Sequence, residues 1–187
     1  SSAAPLHEAG SHLVSGGTGG LGLLTAHWLA QHGVRSLALA SRRGALAHDA
    51  ASEWELATQA SKAVTLVQRC DVAEAFDVGR LVAHVPLTLT AVWHSAGLLV
   101  DGLLPKQAAN ALARVYGPKV HGACAVHRAN AQTALQTLAL FSSVAALLGA
   151  AGQANYSAAN SCLDALASCR RVCSQVAVSV QWGAWAE

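Results

Sequence analysis

Three residues in the last third of the chain have the types and spacing that chemistry needs: Ser143, Tyr156 and Asn160. Tyr156 and Asn160 lie four apart in a segment patterned as a helix, so both side chains project from one face. A tyrosine hydroxyl donates a proton, but its free pKa of about 10 keeps it from ionising at neutral pH without help. A neighbouring lysine ammonium supplies that help by favouring the tyrosinate. Alone, Tyr156 reads as a packed aromatic. The combination points to proton transfer.

A second constellation lies near the N-terminus. Ser15, Gly16, Gly17, Thr18, Gly19, Gly20, Leu21 and Gly22 run between a predicted strand over 12–15 and a predicted helix over 20–32, which Gly33 ends. Glycines let the backbone turn tightly and approach a pyrophosphate, whose charge is favoured at a helix N-terminus. A glycine turn without a ligand is the plainer alternative, but the strand before it and the helix after it favour the binding loop. No Lys-Ser or Lys-Thr ends the loop, which argues against a nucleoside-triphosphate site. Twenty residues beyond Gly22 stands Arg42, within Ser41, Arg42 and Arg43, and no acid appears before Asp49. An acid there would hold the ribose hydroxyl of NAD; a cation suits the 2′-phosphate of NADP. The alternative is a pair of solvated surface arginines. Cys70, Asp71 and Val72 follow a third predicted strand, where Asp71 is placed to accept from an adenine amino group. His94, Ser95, Ala96 and Gly97 follow a fourth, where small residues let backbone approach a cofactor. Either segment alone could be a strand-ending turn.

These residues need a sheet to align them, and the hydrophobic pattern supplies one. Predicted strands over 12–15, 36–40, 64–68, 89–93, 135–141 and 176–181 alternate with longer helical patterns. The helices fall over 20–32, 49–62 (with Trp54, Leu56 and Ala57 apolar), 74–85, 107–130 with an interruption at Gly117-Pro118, and 156–173. That order signals βαβ units and an α/β doubly wound parallel sheet of the Rossmann type. Ligands of such folds bind beyond the carboxyl ends of the strands, near the point where strand order reverses. The glycine loop, Ser41 to Arg43, Cys70 to Val72, His94 to Gly97 and Ser143 all fall at such ends.

The chain has 187 residues, enough for one domain with a sizeable core. Hydrophobic residues make up 53% and charged residues 12%, which excludes intrinsic disorder. A net charge of +2 lacks the basic footprint of a nucleic-acid binder. The stretch from Thr137 to Gly152 is mostly apolar, but Ser142 and Ser143 split it below the roughly 18 residues needed to cross a bilayer. Five cysteines, an odd number without paired spacing, read as free thiols in a reducing compartment, taken as cytoplasmic. Cys162, Cys169 and Cys173 could share a helical face. Nine histidines show no helical zinc-pair spacing, so no metal is expected. With no Met and no signal segment, the chain is expected to be a piece of something longer.

The spacing of Ser143 and Tyr156, with Ser15-Gly16-x-x-x-Gly20-x-Gly22, resembles the short-chain dehydrogenase/reductase superfamily. Most stand-alone members have Lys where this chain has Asn160. That exchange, with a lysine placed earlier in Pro118-Lys119-Val120-x-Gly122, is similar to ketoreductase domains of modular polyketide synthases and animal-type fatty acid synthases. Ser41-Arg42-Arg43, Phe141-Ser142-Ser143-Val144-Ala145, Ala151-Gly152-Gln153-x-Asn155-Tyr156 and Trp182-Gly183-x-Trp185-Ala186-Glu187 extend the resemblance over nearly the whole chain. Ser15 for Thr and Ala184 for Pro are mild departures.

The resemblance implies that NADPH delivers hydride to the carbonyl carbon of a β-ketoacyl chain on an acyl carrier protein, while Tyr156 gives the proton. It implies that Ser143, rather than Ser142, bonds the carbonyl oxygen. Lys119 would lower the Tyr156 pKa and contact the nicotinamide ribose, Asn160 would order a relay water, and Trp182-Gly183 would border the cofactor. Neighbouring synthase domains would be further partners. Ketoreductases leaving a D-configured hydroxyl commonly carry Leu-Asp-Asp where Leu99-Val100-Asp101 stands, and the opposite class often has Trp where Leu148 stands. Asp101, Leu148 and Gln153 are therefore the expected stereocontrol residues, and the D product is expected. Asp101, beside Gly102, reads otherwise as a loop acid. The family usually continues past the position of Glu187 into a lid helix and a seventh strand, so the segment is expected to lack its lid. A non-catalytic reductase-like module and a stand-alone reductase of free small molecules are the competing readings.

Overall fold

The computed structural model describes residues 10–46, 51, 54–55, 58–59 and 61–183. Six strands form one sheet: β1 (Ser11–Ser15), β2 (Ser36–Ser41), β3 (Val64–Arg69), β4 (Leu89–His94), β5 (Thr137–Ser143) and β6 (Val178–Trp182). Their order is β3-β2-β1-β4-β5-β6, and every neighbouring pair is parallel. This is the expected doubly wound sheet, with the order reversing between β1 and β4.

Parallel strands need crossover connections, and these are helical. Helix α1 (Gly20–Gln31) joins β1 to β2, and α2 (Ala75–Ala83) joins β3 to β4. Between β4 and β5 run a 3-10 turn (Leu104–Lys106), α3 (Ala109–Tyr116), a π-helical turn (Gly117–His121) and α4 (Gly122–Ala129). A short α5 (Ala145–Leu148) and the long α6 (Ala154–Val172) lead to β6.

Successive side chains of a strand point to opposite faces, so each central strand feeds two cores. Leu13, Ala38, Val92, Leu138 and Leu140 pack with Val78 and Leu81 of α2, Val126 of α4 and Leu163 of α6. On the other face Val14, Leu37 and Leu39 pack with Ala26, Leu29 and Ala30 of α1 and with Trp54. The inner strands thus read as near-continuous apolar runs, as two covered faces require. The outer strands β3 and β6 are half-exposed, so the cover does not extend to the sheet margins.

Each of the six strands differs from expectation by one or two residues at an end. The fifth strand starts at Thr137 and continues through Ser142 and Ser143, because these pair with Gln181 and Trp182 of β6. The fourth includes His94, which pairs with Ser15 and Leu140, and the sixth starts at Val178 and reaches Trp182. Ladder hydrogen bonds carried polar residues into strands that an apolar pattern alone would end. The Gly117-Pro118 interruption is a π-turn inside a continuous helical stretch: proline lacks the amide donor an α-helix needs there. Of the expected helix over 49–62, residues 51, 54–55, 58–59 and 61 are helical; Leu56 and Ala57 lie outside the described residues. Among the described residues no helix is long and apolar enough to cross a membrane.

Leu140 is fully buried on β5, between the two strands that flank the site. Leu140→Ala should lower unfolding stability by about 2–5 kcal/mol in urea denaturation, with the m-value unchanged.

Candidate active site

The deepest part of the site is a buried ammonium. Lys119 is 4% exposed, and its Nζ donates to the Phe141 carbonyl at 2.9 Å and to Asn160 Oδ1 at 2.8 Å. The same Nζ lies 5.0 Å from the centre of the Tyr156 ring, within cation–π range. Asn160 is fully buried, and its Nδ2 donates back to the Tyr156 carbonyl at 2.9 Å, as the one-face spacing on α6 requires. Burial pulls the Lys119 pKa down to about 8, against an opposing pull from Asp164. The lysine therefore remains a cation at neutral pH.

Two features seat this lysine. The π-turn carries it, and Gly97 leaves it room: a Cβ at Gly97 would lie 3.0 Å from Lys119 Cε. Beneath it, His94 is fully buried and bridges two strands and the turn. Its Nε2 pairs with the Lys119 carbonyl at 3.0 Å and its Nδ1 with Ser15 Oγ at 2.8 Å. A carbonyl only accepts, so Nε2 carries the proton and Ser15 donates to Nδ1. Burial pulls the His94 pKa down to about 4.

Ser143, at the end of β5, lines the same cleft as Lys119. Ser143 Oγ accepts from the Ala145 amide at 3.2 Å, which leaves its proton available to a ligand. Ser142 Oγ instead donates to the Asn160 carbonyl at 3.3 Å. Tyr156 enters the first turn of α6 through Asn155, whose Oδ1 accepts from the Tyr156 amide while its Nδ2 donates to the Val100 carbonyl.

A cleft of about 840 Å³ extends from these residues along the carboxyl edge of the sheet. Its floor at the order reversal is the glycine loop: Gly16 and Thr18 through Gly22 line it. Gly16 has φ +71°, and a Cβ there would lie 2.9 Å from Ala96 Cα. No side chain caps the start of α1 and no acid lies in its first turn, so its amides are available to an anion. Ser41, Arg42 and Arg43 line one end; among the described residues neither arginine forms an ion pair. Cys70, Asp71 and Val72 form a side wall. Burial, with Asp77 and Asp71 nearby, pushes the Cys70 thiol up to about 11, so it stays protonated. Asp71 Oδ1 accepts from the Ala73 amide while its residue lines the cleft. Ser95, Ala96 and Gly97 make the roof, and Lys119, Ser143, Tyr156, Trp182 and Gly183 close the far end.

Some expected residues stand elsewhere. Ser15, Gly17 and His94 do not line the cleft; Ser15 and His94 are buried behind it. Asn160 is also behind it, reached through Lys119. None of the three expected stereocontrol residues lines the cleft: Asp101 Oδ2 accepts from Gln153 Nε2 at 3.1 Å, and Leu148 is 83% exposed. Pro118, Leu98, Leu99 and the Phe141 carbonyl join the site unannounced by residue type. Asn155 was legible only as part of the Gln-x-Asn-Tyr run. Trp185, Ala186 and Glu187 lie outside the described residues.

The sequence model of the KR domain matches residues 10–187. This chain belongs to the KR domain family. KR domains of polyketide synthases are oxidoreductases of the short-chain dehydrogenase/reductase kind. The chain is 45% identical to the spectinabilin polyketide synthase system protein NorB of Streptomyces orinoci over 95% of its length, covering 8% of that protein. It is 41% identical to the erythronolide synthase EryA2 of Saccharopolyspora erythraea over 98% of its length, covering 5% of it. A solved A1-type ketoreductase matches with a TM-score of 0.91 at 38% identity, over 98% of this chain and 39% of that one. The KR domain segment thus spans under a tenth of these synthases and under half of the solved ketoreductase chain.

The buried His94 gives the KR domain a measurable pH signature. An unfolded histidine binds its proton near pH 6.5, whereas the folded one resists until about pH 4. Between those values the unfolded state holds more protons, so stability falls as pH falls. The His94 contribution to that loss should be on the order of 3 kcal/mol by pH 4. It should appear as the difference between urea midpoints of wild type and His94→Gln followed from pH 7 to pH 4.

Proposed function

We propose that this KR domain reduces the β-keto group of an acyl chain carried on an acyl carrier protein, using NADPH, and leaves a D-configured hydroxyl. The observation that carries the reading is the Lys119 ammonium held against Asn160 and the Tyr156 ring, at the end of a cleft floored by a glycine loop. The cleft fits the cofactor: uncapped α1 amides for the pyrophosphate, Arg42 and Arg43 for the 2′-phosphate, and bare Gly97 beside the ammonium. When bound, NADPH supplies the hydride for the carbonyl carbon.

The chain's own residues handle the oxygen. Ser143 donates a hydrogen bond to the carbonyl oxygen and stabilises the charge that develops there. Tyr156 transfers its hydroxyl proton to that oxygen, and the Lys119 cation stabilises the tyrosinate left behind. Asn160 holds the ammonium, and its second Oδ1 lone pair is the acceptor for a relay water. The Asp101–Gln153 pair, at the loop beside Tyr156, supports the D assignment together with Leu148 in place of Trp. Neighbouring synthase domains supply the carrier protein, and five free thiols fit a reducing cytoplasm.

In the full synthase module, Tyr156→Phe should cut NADPH oxidation with a carrier-bound β-ketoacyl substrate by about 10²–10⁴-fold. Cofactor binding, followed by NADPH fluorescence, should persist, and chiral analysis of the wild-type product should return the D alcohol. Wild-type module that binds NADPH without turnover would transfer the assignment to a non-catalytic reductase-like module. Arg42→Ala with Arg43→Ala should weaken NADPH binding about 10–100-fold and leave NADH binding unchanged, as two lost charge-assisted contacts require.

A further inference from the structure

The geometry points to His94 as a positioning residue that sets the height of Lys119 beneath Tyr156. The inference rests on the reductase reading above and concerns a group that never touches the ligand, since His94 is fully buried and lines no part of the cleft.

Lys119 has its ammonium pinned at one end, by Phe141 and Asn160, but its backbone sits in a π-turn. In that turn the Gly122 amide is shared between the Gly117 and Lys119 carbonyls rather than following the regular α-helical ladder. A wide turn with shared bonds has weaker internal definition than an α-helix. The His94 Nε2 proton reaches the Lys119 carbonyl from the sheet and fixes the turn from outside. The imidazole is in turn oriented by Ser15 Oγ on the adjacent strand, so β1, β4 and the turn are held by one ring.

The packing leaves this ring little alternative. A Cβ at Gly122 would lie 3.0 Å from His94 Cε1 and 2.9 Å from Val72 Cγ2, so a bare residue on the turn is what admits it. With the ring neutral, its Nε2 proton faces the Lys119 carbonyl and Ser15 Oγ donates to Nδ1. Of the charged groups near this assembly, Lys119 disfavours a charged His94, and Asp164 on α6 favours the charged Lys119.

The test is steady-state reduction of a carrier-bound β-ketoacyl chain by the full module, with rates normalised to folded protein by circular dichroism. His94→Leu removes the donor at similar volume and should lower kcat by about 10–100-fold, as a displacement near 1 Å does, with KM for NADPH within twofold. His94→Gln offers a donor and an acceptor and should recover most of the rate. In a Lys119→Met background, His94→Leu should cost no further kcat, since both changes act on one ammonium. Additive losses in that double variant, or unchanged kcat in folded His94→Leu, would overturn the inference. Wild-type module without turnover would instead remove the reductase reading beneath it.

Discussion

An ammonium without a carboxylate partner among the described residues, almost wholly withdrawn from water, is the constraint that the site is built around. Burying a charge costs several kcal/mol unless dipoles replace its hydration. The replacements come from two separate parts of the chain: the Phe141 carbonyl on β5, and the Asn160 amide and Tyr156 ring one helical turn apart on α6. Satisfying Lys119 therefore fixes β5, α6 and the π-turn relative to one another. Tyr156 is placed as a by-product of solving that desolvation problem.

The remainder of the cleft follows from the sheet. Parallel strands end at one edge, and the reversal between β1 and β4 opens a crevice there that no crossover helix fills. The glycine loop occupies that crevice, with the arginine pair toward β2 and Tyr156 beyond β5. The glycine loop with its arginine pair and the Lys119–Tyr156 pair thus lie apart along a single edge, joined by one cleft. Small residues mark the places where the chain approaches itself, at Gly16 against Ala96 and at Gly97 against Lys119.

Much of this was legible in the residues. Apolar runs located all six strands, and i,i+4 spacing placed Tyr156 and Asn160 on one face. The strand ends placed too early share a cause: polarity was read as a boundary. Ser142, Ser143 and His94 lie inside strands because their backbones complete ladders, which side-chain patterning does not report. The π-turn was visible only as a break, since Gly117-Pro118 announces a lost donor without saying how the helix absorbs it. His94 was placed with the cofactor wall by its neighbours Ser95 to Gly97, yet strand alternation turns it inward toward Ser15 and the turn. Asn155 could not be separated from its motif, because its role depends on a loop that reaches it only in three dimensions.

Holding the cation on a different helix from the phenol has a consequence for how such domains recombine. Where both groups share one helix, any exchange that moves the helix moves the pair intact. Here Lys119 belongs to the crossover before β5 and Tyr156 to the helix after it, so their registry is an agreement between two segments. A chimera joined between residues 122 and 153 inherits the ammonium from one parent and Tyr156 and Asn160 from the other. Joints placed outside that span keep the agreement within a single ancestry, and make the natural cassette for shuffling this fold.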